Sequence, residues 1–203
     1  LSKFKSIARI SPNNSSVYKE KGSKFLGFAL YCNTEKEAQV FLQELRDKHP
    51  NAVHVCYAYQ LGIENPYYRF NDDGEPSNSA GAPIYGQIQS YGITNVVIAV
   101  VRYYGGTKLG VGGLINAYRT AAKDIIELAG TIEMELSYAY RIVFTYAEMA
   151  LLMDHIKKLN LTIIKQHFEN ECYVEIEIKA SELEKLKRLK DKFETLLIIE
   201  IPM

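Results

Sequence analysis

Cysteine is scarce in this 203-residue chain, and what there is stands apart: Cys32, Cys56 and Cys172 are odd in number and form no CxxC pair. Neither a disulfide framework nor a zinc knuckle is therefore expected, and the metal content is read as none. Long hydrophobic runs are missing as well. No stretch of 18 apolar residues occurs, and the N-terminal residues Leu1 to Ala8 lack the uninterrupted apolar core of a secretion signal. No membrane association is expected, and the expected address is the cytosol. A net charge is also lacking, because 24 Lys and Arg balance 24 Asp and Glu. A general polyanion-binding surface usually shows as a basic excess, so the balance argues against one while leaving a local basic patch open. Internal repeats and low-complexity segments are absent.

What is present is ordinary globular material, 47% apolar and 24% charged, in a length comfortable for two small domains. Three helices are predicted from a Ser or Thr followed three residues later by Glu, a pattern that satisfies two orphan amides reciprocally. These pairs are Thr34/Glu37, Thr145/Glu148 and Ser181/Glu184. Apolar residues follow at helical spacing: Ala38, Phe41, Leu42 and Leu45 after the first, Leu152, Met153, Ile156 and Leu159 after the second, and Leu183, Leu186, Leu189 and Phe193 after the third.

Strand-like runs lie near 4 to 10, 24 to 31, 54 to 61, 95 to 101, 136 to 144, 161 to 168, 172 to 179 and 195 to 201. The run Val96 to Val101 is apolar on both faces, as a central strand should be. Tyr173 to Lys179 alternates, so one of its faces should meet water. A turn at Asn170-Glu171 would join it to the preceding strand. From about 136 the order strand, helix, strand, strand, helix, strand is that of a split βαβ, ferredoxin-like domain. The fold class is thus α+β, with domains at 1-133 and 134-203 and Gly130 ending the long helix before the boundary.

The most informative segment runs from Arg102 to Gly113, joining the buried strand to a helix that starts near Gly113. That helix has apolar positions Leu114, Tyr118, Ala121, Ile125 and Leu128. A strand, a glycine-rich loop and a helix N-terminus together can hold an anion, because unpaired amides and the helix dipole point at it. The contact residues in that reading are Arg102, Gly105, Gly106, Lys108, Gly110, Gly112 and Gly113. The alternative is a tight crossover whose glycines only permit close packing. The segment is neither a Walker loop nor a dinucleotide fingerprint. On the following helix Asn116, Arg119 and Lys123 share one polar face.

The segment Asp72 to Pro83 is an acidic loop rich in turn formers, leading into a helix near Pro83. Asp72, Asp73 and Glu75 could act as acid and base or hold a hard cation; equally they could cap turns or neutralise Arg102 or Lys108, making the two loops one structure. In the strand from His54 to Leu61, His54, Cys56, Ala58 and Gln60 share a face. That makes His54 a third weak catalytic candidate beside Asp72 and Asp73, whereas Cys56 reads better as a small buried residue. Tyr57, Tyr59, Tyr67, Tyr68, Tyr103 and Tyr104 cluster near these loops. Such rings beside Lys and Arg can stack bases, and half-buried strands also favour them.

Four segments in this order resemble the IMPACT/YigZ family: Lys21 to Gly27, His54 to Ala58, Asp72 to Ser77 with Ala80, Gly81 and Pro83, and Val100 to Gly110 with Gly112 to Leu114, Ala117 and Tyr118. The resemblance spans about residues 18 to 130. It implies an N-terminal domain of the left-handed βαβ type, similar to domain IV of the ribosomal translocase, and a ferredoxin-like C-terminal domain as in the bacterial branch. The family's eukaryotic members regulate translation, so the resemblance implies a binding protein. Its expected partner is RNA or a ribosome-associated protein, contacted through Lys21, Lys24, Arg69, Arg102, Lys108 and Arg119. The rival expectation is an enzyme acting on a phosphorylated small molecule at the glycine-rich loop. No cofactor is expected in the first reading. Two departures from the family pattern are Asn78, usually Gly, and Asn116, usually Arg; the second removes a cation beside the loop.

Overall fold

A computed structural model of the chain describes residues 3–8, 11, 13–169, 171–193 and 195–202. They divide into two compact units, one ending at Met134 and the other starting at Glu135.

The first unit is built on a five-stranded sheet. Its strands are β2 (Ser16–Glu20), β3 (Ser23–Tyr31), β4 (His54–Leu61), β5 (Tyr67–Asn71) and β6 (Val96–Tyr103), in the order β2-β3-β6-β4-β5 with every neighbouring pair antiparallel. A two-stranded ribbon pairs β1 (Lys3–Ile7) with β7 (Thr131–Glu135). Of the strand expected over 4 to 10, positions 9 and 10 lie outside the described residues. Helix α1 (Glu35–Lys48) opens on the Thr34/Glu37 capping box and buries Ala38, Phe41, Leu42 and Leu45 against one face of the sheet. Helices α2 (Gly81–Tyr91) and α3 (Gly110–Ala129) cover the other face. Because α1 connects β3 to β4, and these flank β6, the crossover is a split one.

Helices on both faces account for the unbroken apolar run of β6. Val97, Ala99 and Val101 face the α1 core, while Val96, Ile98 and Val100 face α2 and α3. Helix α3 starts three residues earlier than its apolar pattern suggests, so Gly110, Gly112 and Gly113 belong to its first turn. Leu128, expected in its apolar stripe, is 55% exposed. The helix ends at Gly130, whose φ of 71° suits glycine but whose ψ of 166° is extended rather than left-handed.

The second unit contains β8 (Ser137–Phe144), α4 (Met149–Lys158), β9 (Thr162–Phe168), β10 (Cys172–Lys179), α5 (Leu183–Lys192) and β11 (Leu197–Ile201). Its sheet order, β11-β8-β10-β9, is antiparallel throughout and matches the split βαβ pattern. Ile142, Val174 and Ile176 pack on Leu152, Ile156 and Leu189 of the two helices. On the opposite face, Arg141 pairs with Glu175 at 2.6 Å and lies over the Tyr173 ring. The Thr145/Glu148 box forms on a short 3-10 turn before α4. The Ser181/Glu184 box does not form: the Ser181 amide donates to Glu135 instead, and α5 begins at Leu183 without a side-chain cap. Of the expected turn at 170–171, Asn170 lies outside the described residues.

Candidate functional site

At one end of the sheet three strands set Phe25, Arg102 and His54 side by side, since Arg102 is the register partner of both others. All three side chains point to the α2 and α3 face. Nη1 of Arg102 donates to Oε1 of Glu75 at 2.5 Å, and the hydroxyl of Tyr118, from α3, donates to the same oxygen at 2.7 Å. The Arg102 and Glu75 side chains are only 7% and 4% exposed. A buried charge is tolerable when it is paired and hydrogen-bonded, and this carboxylate has both conditions met. The guanidinium lies 5.4 Å from the Phe25 ring centre and 5.6 Å from that of Tyr104. Its Nε is buried with no hydrogen-bond partner, an orphan donor of the kind that costs about 1–3 kcal/mol. Burial pushes the Tyr118 phenol and the Cys56 thiol well above their usual ranges, and the thiol donates to the Asp72 carbonyl, so Cys56 is an inert core residue.

The acidic loop is held by its own first two carboxylates. Asp72 accepts from the amides of Asn78, Ala80 and Gly81, capping α2 from outside the helix. Asp73 accepts two bonds from Arg46 at 3.0 Å and a third, at 2.6 Å, from the Val55 amide. Their oxygens are engaged by backbone amides and, for Asp73, by Arg46, which gives both a structural task in the loop. Asn78 has φ 60°, a left-handed conformation that asparagine tolerates better than most residues and that accounts for the glycine expected there. Nδ1 of His54 lies 2.6 Å from the Asp73 carbonyl, an acceptor, so this nitrogen carries the proton and Nε2 faces Glu75 at 3.9 Å. The carboxylate that meets the basic loop is Glu75, with Arg102 as its partner.

The glycines of the second loop divide by task. A Cβ on Gly105 would lie 1.9 Å from the carbonyl carbon of Gly22, and the Gly105 amide donates to Ser23 Oγ. That residue is a packing contact with the β2–β3 turn, so its amide is not free for an anion. Gly106 and Gly110 hold φ of 84° and 75°. Gly110 and Gly112 open α3, which has no side-chain cap, and Gly113 packs on Leu109. Beside this helix start is a cavity of about 530 Å³, lined by Lys108, Arg102, His54 and Glu75 and walled by Val53, Pro76, Tyr104, Leu109, Val111 and Leu114. Lys108 is exposed, and the lining carries one positive charge beyond the Arg102–Glu75 pair.

The expected cations do not all leave from one face of the sheet. Arg69 stands opposite Tyr59 on the α1 face and pairs with Glu35, whereas Arg119 is on α3 across the sheet. Lys24 is the register partner of Tyr103, whose hydroxyl meets His49 at the end of α1, again on the α1 face. Arg102 is buried and neutralised. Among the expected cations the cavity gathers Lys108 and Arg102 alone. Tyr104 is one of the rings that the sequence places near these loops, whereas Tyr118 enters the periodicity only as an apolar position of α3. A tyrosine on an otherwise apolar helix stripe was the available signal, because a buried hydroxyl needs a partner. Among the described residues, no group of three or more His, Cys, Asp and Glu is placed to hold a metal ion. Among them, too, no helix is long and apolar enough to cross a membrane.

Residues 21–126, which carry all of this geometry, match the Impact N-terminal domain. The IMPACT family member YvyE of Bacillus subtilis is 32% identical over 157 residues, covering 75% of this chain and 72% of that protein. An IMPACT family member of Haemophilus influenzae is 28% identical over 198 residues, covering 94% and 95% respectively. A crystal structure of a hypothetical protein superposes with a TM-score of 0.77 at 25% identity, covering 100% of this chain and 98% of that one, so the two-unit architecture recurs in it. By its domain and its relatives, this chain belongs to the IMPACT family.

Proposed function

We propose that this chain is a cytoplasmic binding protein associated with translation, and that it contacts RNA or a ribosome-associated partner through the cavity at the start of α3. The observation that carries the reading is the combination of the exposed Lys108, an uncapped helix start and an apolar wall around one cavity. Unpaired helix amides and a lysine favour an anionic group, and the wall favours something less polar attached to it. The link to translation rests on the family resemblance. The rival reading, an enzyme acting on a phosphorylated small molecule, has little to work with: Asp72 and Asp73 are engaged by backbone amides and Arg46, leaving His54 without a free carboxylate partner.

The test is affinity purification at low salt from the native cell, with and without nuclease, comparing the wild type with Lys108→Glu. Lys108 is exposed, so this substitution leaves the core intact. A partner captured by the wild type and lost from the variant supports the proposal. Identical capture by both proteins would remove the cavity from the contact surface.

A further inference from the structure

Among the described residues, two features of the cavity lack partners. The first is the start of α3, where no side chain accepts from the amides of the opening turn. The second is Arg102: Nη1 is bound to Glu75, but Nε is buried and unpartnered, in a side chain that forms part of the cavity wall. An oxyanion suits the first, and the fixed guanidinium of Arg102 in the same wall favours it electrostatically. Against these, Tyr104 is 48% exposed with its ring beside the guanidinium, and Val53, Leu109 and Val111 continue the same wall. A bare carboxylate or inorganic phosphate would use the polar end and leave this wall uncovered. A group that joins an oxyanion to a flat, weakly polar ring would use both, and about 530 Å³ is within the usual range for such ligands.

We infer that the cavity holds one nucleotide unit of a single strand, with its phosphate at Lys108 and the start of α3 and its base against Tyr104. An exposed tyrosine beside cations is a surface on which bases stack regardless of sequence. Glu75 keeps the guanidinium fixed and its charge balanced, so the site adds one net positive charge, matched to one phosphate. This inference rests on the reading of the cavity as the contact site and narrows it to nucleotide chemistry.

The experiment uses the full chain and four small probes: adenosine 5′-monophosphate, inorganic phosphate, adenosine and O-phosphotyrosine, with binding read by calorimetry. In parallel, fluorescence anisotropy follows labelled hexa-adenylate in its ribo and deoxyribo forms across a salt series. The monophosphate should bind about tenfold more tightly than each other probe. Lys108→Glu and Tyr104→Ala should each weaken hexa-adenylate by about tenfold, and Lys108→Glu should make the salt dependence shallower by about one phosphate contact. Lys187→Glu, on an exposed site of the second unit, should change nothing. A preference for the ribo form assigns the source as RNA, and equal binding assigns single strands of either sugar. Phosphotyrosine binding as tightly as the monophosphate, or phosphate alone doing so, would overturn the inference, as would oligonucleotide binding indifferent to both cavity variants. A nuclease-resistant partner that depends on Lys108, together with silent nucleotide probes, would reject this inference and leave the proposed function standing. Nucleotide binding together with unchanged partner capture would do the reverse.

Discussion

The Arg102 guanidinium and the Glu75 carboxylate, 27 residues apart in sequence, meet at 2.5 Å with both side chains almost wholly buried. The contact ties the acidic loop to the end of the central strand, and Tyr118 adds a bond from α3 to the same oxygen. Removing either charge leaves the other buried without a counter-ion. Glu75→Ala and Arg102→Ala should each destabilise the protein by about 3–5 kcal/mol. The double substitution should cost less than the sum, because no lone charge remains. Urea unfolding of the four proteins measures the coupling, and additive losses would show that the pair acts as two independent groups.

Asp72 serves three backbone amides around the start of α2. Replacing it with Ala removes an external cap bearing a charge, and a loss of about 1–2 kcal/mol is expected. The Lys108-dependent capture described above should persist at temperatures where the variant is folded. A variant as stable as the wild type would contradict the capping role.

Gly105 in the loop and Gly112 in the first turn of α3 should respond in opposite directions. At Gly105 a methyl group would run into the backbone of Gly22 and Ser23, so Gly105→Ala should cost about 3 kcal/mol or prevent folding. At Gly112 a methyl group meets nothing within 4 Å, and φ is not in the positive range. Gly112→Ala should therefore raise stability by about 0.5–1 kcal/mol through a less flexible unfolded chain. Thermal melts of the two variants compare the predictions directly.

Alkaline conditions should weaken the fold through its thiols. Burial pushes Cys32 from 9.0 up to about 12, with Glu37 adding to the effect, and burial raises Cys56 as well. Below pH 9 folded and unfolded thiols are both protonated, and they contribute no pH dependence. Between about 9 and 12 the unfolded chain releases protons that the folded one keeps, so stability falls as pH rises, by at most about 1.4 kcal/mol per unit for each thiol. Urea midpoints at pH 8, 9.5 and 10.5 should decline, and Cys32→Ala should flatten the decline. A variant with the wild-type slope would take Cys32 out of the account.

Local signals in the chain were enough for the elements that depend on near neighbours. The Thr34/Glu37 box, the stripe from Ala38 to Leu45 and the doubly apolar run from Val96 to Val101 can be read directly, since capping and periodicity involve residues a few positions apart. The same logic misled at Ser181, where the better acceptor for the amide is Glu135, distant in sequence and absent from any local pattern. The edge strand β2 carries little local signal, because five residues with one open face give little periodicity.

Sequence alone determined that two loops bearing opposite charges bracket a central strand, and that a glycine-rich turn leads into a helix. Which carboxylate reaches Arg102 was decided only in three dimensions, by the register of β3, β6 and β4 and by the path the acidic loop takes once Asp72 and Asp73 are tied to α2, Arg46 and Val55. The same holds for the cations. Whether Arg69 shares a surface with Lys108 depends on which side of the sheet it leaves from, and its pairing opposite Tyr59 sets that side.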